Sequence, residues 1–152
     1  MNRLRAAFAT LAALFASASP AFAAKPAGPA PVAYPDALRC ATFDGFMAVM
    51  LAGEHEEHLK EPATVYYSTA GDLWLTQASK ANPGGEKATN KDFQTATDVL
   101  VKAFAAAAKT DGDKAFKAIY AQYAPACDAL EQVAWGGPEG LSAKSSAANG
   151  EN

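Results

Sequence analysis

Histidine and cysteine are scarce in this chain, with two of each among 152 residues, and that scarcity excludes much chemistry at once. The cysteines form no Cys-x-x-Cys, so there is no thioredoxin-like redox pair, and no Cys-x-x-Cys-His that would attach haem covalently. A non-covalent haem in a helical bundle needs histidine or methionine on facing helices. Here His55, His58, Met47 and Met50 crowd onto one segment. There is no Gly-x-Ser-x-Gly elbow, no glycine-rich phosphate loop and no internal repeat. The stretch HEEH at 55–58 is not the HExxH of zinc proteases, because its second histidine follows after three residues instead of four. Alternation of period two is missing as well, which argues against a sheet protein.

Long apolar runs are equally few. Only Ala6 to Ala18 qualifies, and it is too short to span a membrane comfortably. It follows a cationic start, Met1 to Arg5, and precedes the small-x-small pattern Ala21-Phe22-Ala23. This arrangement predicts a secretory signal peptide over residues 1–23, and a protein that is periplasmic or secreted with no membrane span after cleavage. Removing 23 residues from 152 leaves 129, enough for one domain. Arg3 and Arg5 leave with the signal, so the formal net charge moves from -3 to -5. That sign argues against nucleic acid or an anionic membrane as partner. In an oxidising compartment the two cysteines are expected to pair, Cys40 with Cys127. The bridge would close a loop of roughly 87 residues and stabilise the fold by about 4–5 kcal/mol on chain-entropy grounds.

Residues 24–35 read as a proline-rich flexible leader. Residues 136–152, GGPEGLSAKSSAANGEN, read as a disordered tail by composition. Between them, 36–135 is expected to be a helical domain. Its first helix carries the apolar arc Cys40, Phe43, Phe46, Met47, Met50 and Leu51 from Asp36 onward. A second starts at Pro62, with Tyr66, Ala70, Leu73, Trp74 and Gln77 on one side. A third runs from about Lys91 to Lys109 behind an Asn90 cap, with the stripe Phe93, Ala96, Leu100, Phe104 and Ala107. Its small run AFAAAAK is expected to let a neighbouring helix approach closely. The last helix is expected from an Asp113 cap to about Trp135, its stripe being Phe116, Tyr120, Tyr123, Cys127, Leu130 and Ala134. Pro125 falls on the opposite face, where it would kink the helix toward the core. The expectation is therefore an all-α, single-domain four-helix, bundle-like fold with a kinked last helix and one disulfide.

Two candidate sites follow. His55 and His58 stand among Glu54, Glu56, Glu57 and Glu61. The leading interpretation is a solvated helix end in which Glu54 and His58 pair at i, i+4. The alternative is a metal or pH-sensing site using His55, His58, Glu54 and Glu61, with zinc or copper as the ion. The second candidate is an aromatic binding surface at Tyr66, Tyr67 and Trp74, although aromatics at helical spacing are more often core. No resident cofactor is expected otherwise. The general plan, a small exported helical chain with one disulfide, looks like that of periplasmic acid-stress chaperones, a likeness of architecture and not of motif. The functional expectation is a non-enzymatic binding or envelope-stress module whose partner is a protein or a small apolar ligand. The alternative is a divalent-metal-binding protein.

Overall fold

The computed structural model of the protein describes residues 31–141. The expected signal peptide, most of the leader and the tail beyond 141 lie outside the described residues. The protein is all-helical, with no strand among the described residues. Four long helices, α1 (Tyr34–Ala52), α2 (Pro62–Ala81), α3 (Gly85–Ala108) and α4 (Gly112–Trp135), follow one another, with a 3-10 turn at Glu56–Lys60 between the first two. No described helix is long and apolar enough to cross a membrane.

Helix α1 starts two residues before the expected Asp36, because Pro35 sits in its first turn, where the missing N–H costs nothing and the fixed φ already suits a helix. It ends at Gly53, whose φ of 57° is one that L side chains rarely adopt; its N–H donates to the Val49 carbonyl. Helix α2 opens at Pro62 by the same first-turn logic. The α1–α2 interface is the most extensive in the molecule, and small residues make it so. Ala37, Ala41, Ala70 and Ala78 are fully buried. A Cβ on Gly71 would come within 3.3 Å of the Gly45 backbone nitrogen, so the two backbones touch at these glycines. Glycine inside a helix costs up to about 1 kcal/mol relative to alanine, and the close approach is what it makes possible.

Helix α3 begins at Gly85, six residues before the expected Lys91. The stretch 85–90, expected to precede the helix, is thus its first turns. Gly84, not Asn90, is the N-cap, and Asn82 braces the turn before it: its side-chain Oδ1 accepts from the Gly84 N–H and its side-chain amide donates to the Thr89 hydroxyl. Thr89 is fully buried and donates back to the Gly85 carbonyl, which closes the first turn. Leu100 is buried, and Phe93 and Phe104 are half-buried against the core, with the Phe104 ring 5.4 Å from that of Phe46. Ala107 and most of the AFAAAAK run stay exposed. No neighbouring helix closes over them.

Helix α4 is capped by Asp111 and not by Asp113, the Asp111 carboxylate accepting from the Lys114 N–H at 3.0 Å. It runs unbroken through Pro125, which is exposed as expected. Its buried face differs from the expected stripe. Ala115, Ile119, Ala124, Cys127, Glu131 and Trp135 point inward, while Tyr120 is 41% exposed and Tyr123 and Leu130 are half-buried. The disulfide Cys40–Cys127, with Cα atoms 5.4 Å apart, ties this helix to α1 through the one residue common to both faces. Phe43 stacks on Tyr123 at 5.8 Å, and Trp74 meets Trp135 at 4.6 Å. Gly136, at φ 82°, ends α4 with its N–H on the Gln132 carbonyl. The chain then makes one more helical turn, residues 137–141, which carries Leu141 into the core at 2% exposure. The start of the expected tail therefore packs.

Candidate functional site

Two of the buried residues are carboxylic acids, an arrangement that a core tolerates only when the groups are paired or hydrogen-bonded. Asp44 on α1 is 1% exposed and Glu131 on α4 is 2% exposed. Each follows a bridged cysteine by four residues, Cys40 to Asp44 and Cys127 to Glu131, so each shares its cysteine's helix face. The disulfide brings those two faces together. Helix α2 supplies donors: the Tyr66 hydroxyl and, at 3.4 Å, the Trp74 indole N–H both donate to Glu131. Asp44 is treated differently. No N–H or hydroxyl group among the described residues donates to either of its oxygens, and its polar neighbour is the Glu131 carboxyl, to which it can donate when protonated. It lies near enough to Glu131 for the two acids to repel and to compete for one proton.

Burial and the neighbouring charge of Glu131 push the Asp44 carboxyl up to about 9 from its ordinary 3.8, so it is protonated at neutral pH. Glu131 is also raised by burial, against which the bonds from Tyr66 and Trp74 work by favouring its charged form. Asp128, one turn back on the exposed side of α4, is raised by burial as well. Burial foremost, then Glu131 for Tyr66 and Tyr120 for Tyr67, drives both hydroxyls well above the usual tyrosine range. Every shift in this cluster is toward the protonated form.

A pocket of about 340 Å³ opens in front of the acids. Tyr66 and Tyr67 of α2 line one side. Tyr120, Asp128, Glu131 and Gln132 of α4 line the other, and Gly137 and Pro138 close the end. Gly140 belongs to the same corner: a Cβ there would collide with the Trp135 carbonyl, so the turn that closes the pocket depends on glycine.

No family model, curated protein or solved structure matches this chain. Its site is therefore interpreted from its own chemistry.

Of the sequence-predicted aromatic surface, Tyr66 and Tyr67 are half-buried at the pocket, while Trp74 is fully buried and serves as a donor to Glu131. Trp74 is not surface. His55 and His58 lie elsewhere, beyond the end of α1, where the chain leaves the α-helix for a 3-10 turn. Their rings are 5.2 Å apart. The expected Glu54–His58 pair does not form, because no continuous helix spaces them. Instead His55 Nδ1 lies 3.6 Å from Glu57 and His58 Nε2 lies 3.8 Å from Glu61, all in exposed or half-exposed positions. Among the described residues no three His, Cys, Asp or Glu side chains converge as ligands of a metal ion would.

Sequence reasoning missed Asp44 and Glu131, since an acid inside an apolar arc is ordinarily assigned to the solvent side. The signal that could have found them is the four-residue offset from each bridged cysteine.

Proposed function

We propose that this chain is a small exported protein, periplasmic or secreted after removal of its signal peptide, that acts as a non-enzymatic binding module with its ligand in the tyrosine-lined pocket between α2 and α4. The observation that carries the reading is the buried pair Asp44 and Glu131 behind that pocket. A buried acid without donors weakens the fold, typically by a few kcal/mol relative to an apolar residue of similar size. A core built for stability alone has no use for it. Paired carboxyls also suit acid–base catalysis, but a proton donor must reach the substrate. Asp44 is enclosed and does not line the pocket, while both oxygens of Glu131 already accept hydrogen bonds. This favours holding a ligand over moving a proton. The same acids make a purely apolar ligand a poor match, contrary to the expectation from the sequence.

The envelope-stress side of the reading draws support from the direction of the Asp44 shift, which adds stability on acidification. A second reading, zinc or copper at His55 and His58, has the 5.2 Å approach of the two rings in its favour, and it needs further ligands that the exposed turn does not assemble. The binding module is tested by an NMR fragment screen on the purified, disulfide-bonded protein, beside native mass spectrometry of protein taken from its own envelope. Hits should move Tyr66, Tyr67 and Tyr120. A screen whose hits all map elsewhere, such as to the groove between α1 and α3 lined by Leu38, Ala96 and Val99, would refute it.

A further inference from the structure

Two carboxyls, Asp128 and Glu131, line one tyrosine-lined pocket with Asp44 enclosed behind them, and among the described residues no basic side chain pairs with any of the three. The ion pairs among the described residues, Arg39 with Asp36, His55 with Glu57, His58 with Glu61 and Lys102 with Asp98, all lie elsewhere. Asp44, enclosed behind Glu131, has no donor to either oxygen among the described residues, while Glu131 and the exposed Asp128 line the pocket beside Tyr66, Tyr67 and Tyr120. A positive guest beside them would supply the compensation that the protein itself withholds.

The walls say what kind of positive guest. Tyr66 and Tyr67 meet edge to face, with ring centroids 5.1 Å apart at 72°, and so form a corner, with Tyr120 on the solvent side. Aromatic faces attract cations through their quadrupole, and best where water is thinned out. A metal ion needs several converging ligands, and the described residues offer no such set. At about 340 Å³ the pocket is at the small end of ligand sites.

We infer that this pocket binds a small organic cation, an alkylammonium or quaternary ammonium, with Glu131 and Asp128 as counter-charges and Tyr66, Tyr67 and Tyr120 as aromatic walls. The inference rests on the pocket being the ligand site and adds the charge of the guest. Tyr66 and Tyr67 from α2 and Tyr120, Asp128 and Glu131 from α4 are the ionisable groups that line it, and Asp44 from α1 is enclosed behind Glu131. A bound cation favours ionised carboxylates where burial favours protonated ones, so binding releases protons and tightens as pH rises, by up to about tenfold per pH unit for each proton released.

The test is calorimetric titration of the purified, disulfide-bonded protein with choline, putrescine and 3,3-dimethyl-1-butanol, the uncharged isostere of choline, at pH 6 and pH 8, with the tyrosine resonances followed by NMR. At least one cation should bind about tenfold more tightly than the alcohol, more tightly at pH 8 than at pH 6, and with a heat that depends on the buffer because protons leave. Glu131→Gln should lower cation affinity about tenfold and reduce proton release, with the alcohol unaffected. Asp128→Asn, on the exposed rim, should act in the same direction and carries the test should Glu131→Gln fail to fold. Alcohol and cations binding equally while Tyr66, Tyr67 and Tyr120 shift would overturn the charge assignment and leave the pocket standing as a ligand site. Failure of both cations to move those tyrosines would overturn the inference, and the fragment screen then decides separately whether the pocket binds anything.

Discussion

Asp44→Asn isolates the buried acid with the least change of shape. In the folded protein Asp44 keeps its proton up to a pH of about 9, whereas in the unfolded chain it loses it near 3.8. Between those values the native state holds about one more proton than the unfolded state, and stability falls by about 1.4 kcal/mol for each pH unit gained. The contribution is therefore complete below the unfolded value and is lost as pH rises toward the folded one. From pH 5 to pH 8 the slope amounts to about 4 kcal/mol, a large part of the roughly 5–15 kcal/mol that a domain of this size possesses. Glu131 and Asp128 shift in the same direction and reinforce the trend. Asparagine cannot ionise, so the stability of the variant relative to the wild type should rise by roughly 2–4 kcal/mol from pH 5 to pH 8. Urea unfolding at pH 5, 6, 7 and 8, followed by far-UV circular dichroism, measures both slopes. A wild type that grows more stable from pH 5 to pH 8, or an asparagine variant with an unchanged slope, would refute the reasoning.

Reduction of Cys40–Cys127, which closes a separation of 87 residues, should cost about 2–5 kcal/mol; alkylation of the native protein before reduction should label no thiol. Gly71→Val should destabilise by about 1–3 kcal/mol or more, because its side chain would enter the space against Gly45 and Ala41, and an unchanged melting temperature would mean that α1 and α2 do not touch there. Truncation after Trp135 should cost about 1.5–3 kcal/mol through the loss of the buried Leu141; Leu141→Ala in the full chain should reproduce most of it. Replacing His55 and His58 together by alanine should change unfolding free energy by less than about 0.5 kcal/mol, both being outside the core. A one-to-one, histidine-dependent zinc or copper isotherm would make the second reading the stronger one.

The all-helical class, the four helices and the disulfide partners were legible because they follow from local rules. Period 3.6 in the apolar residues marks the helices, Pro62 marks where α2 starts, and two cysteines admit a single pairing. Local rules failed where two of them competed. A third helix expected from Lys91 left Gly84 and Gly85 outside it, yet the helix begins at Gly85, with Asn82 and Thr89 bonded across its first turn. Gly136 and Gly137 looked like tail, yet Gly136 ends α4 in the left-handed conformation and lets the chain turn back to bury Leu141. A glycine permits both outcomes, and only contacts distant in sequence choose between them.

The pocket belongs wholly to tertiary structure. The spacing of apolar residues on α4 is met by more than one rotation of the helix, and it favoured the face with Phe116 and Tyr120. The packing of Trp135 on Trp74 and the bonds from Tyr66 and Trp74 to Glu131 go with another, in which Glu131 turns inward and the Tyr120 ring stays at the rim. Asp44 on α1 is buried by the same logic: a sequence shows which residues share a face, while what lies across from that face is decided by other helices. The ionisation of Asp44 and Glu131 depends on that second fact alone, since burial and the partner's charge are properties of the assembled core. Composition and periodicity carry no trace of it.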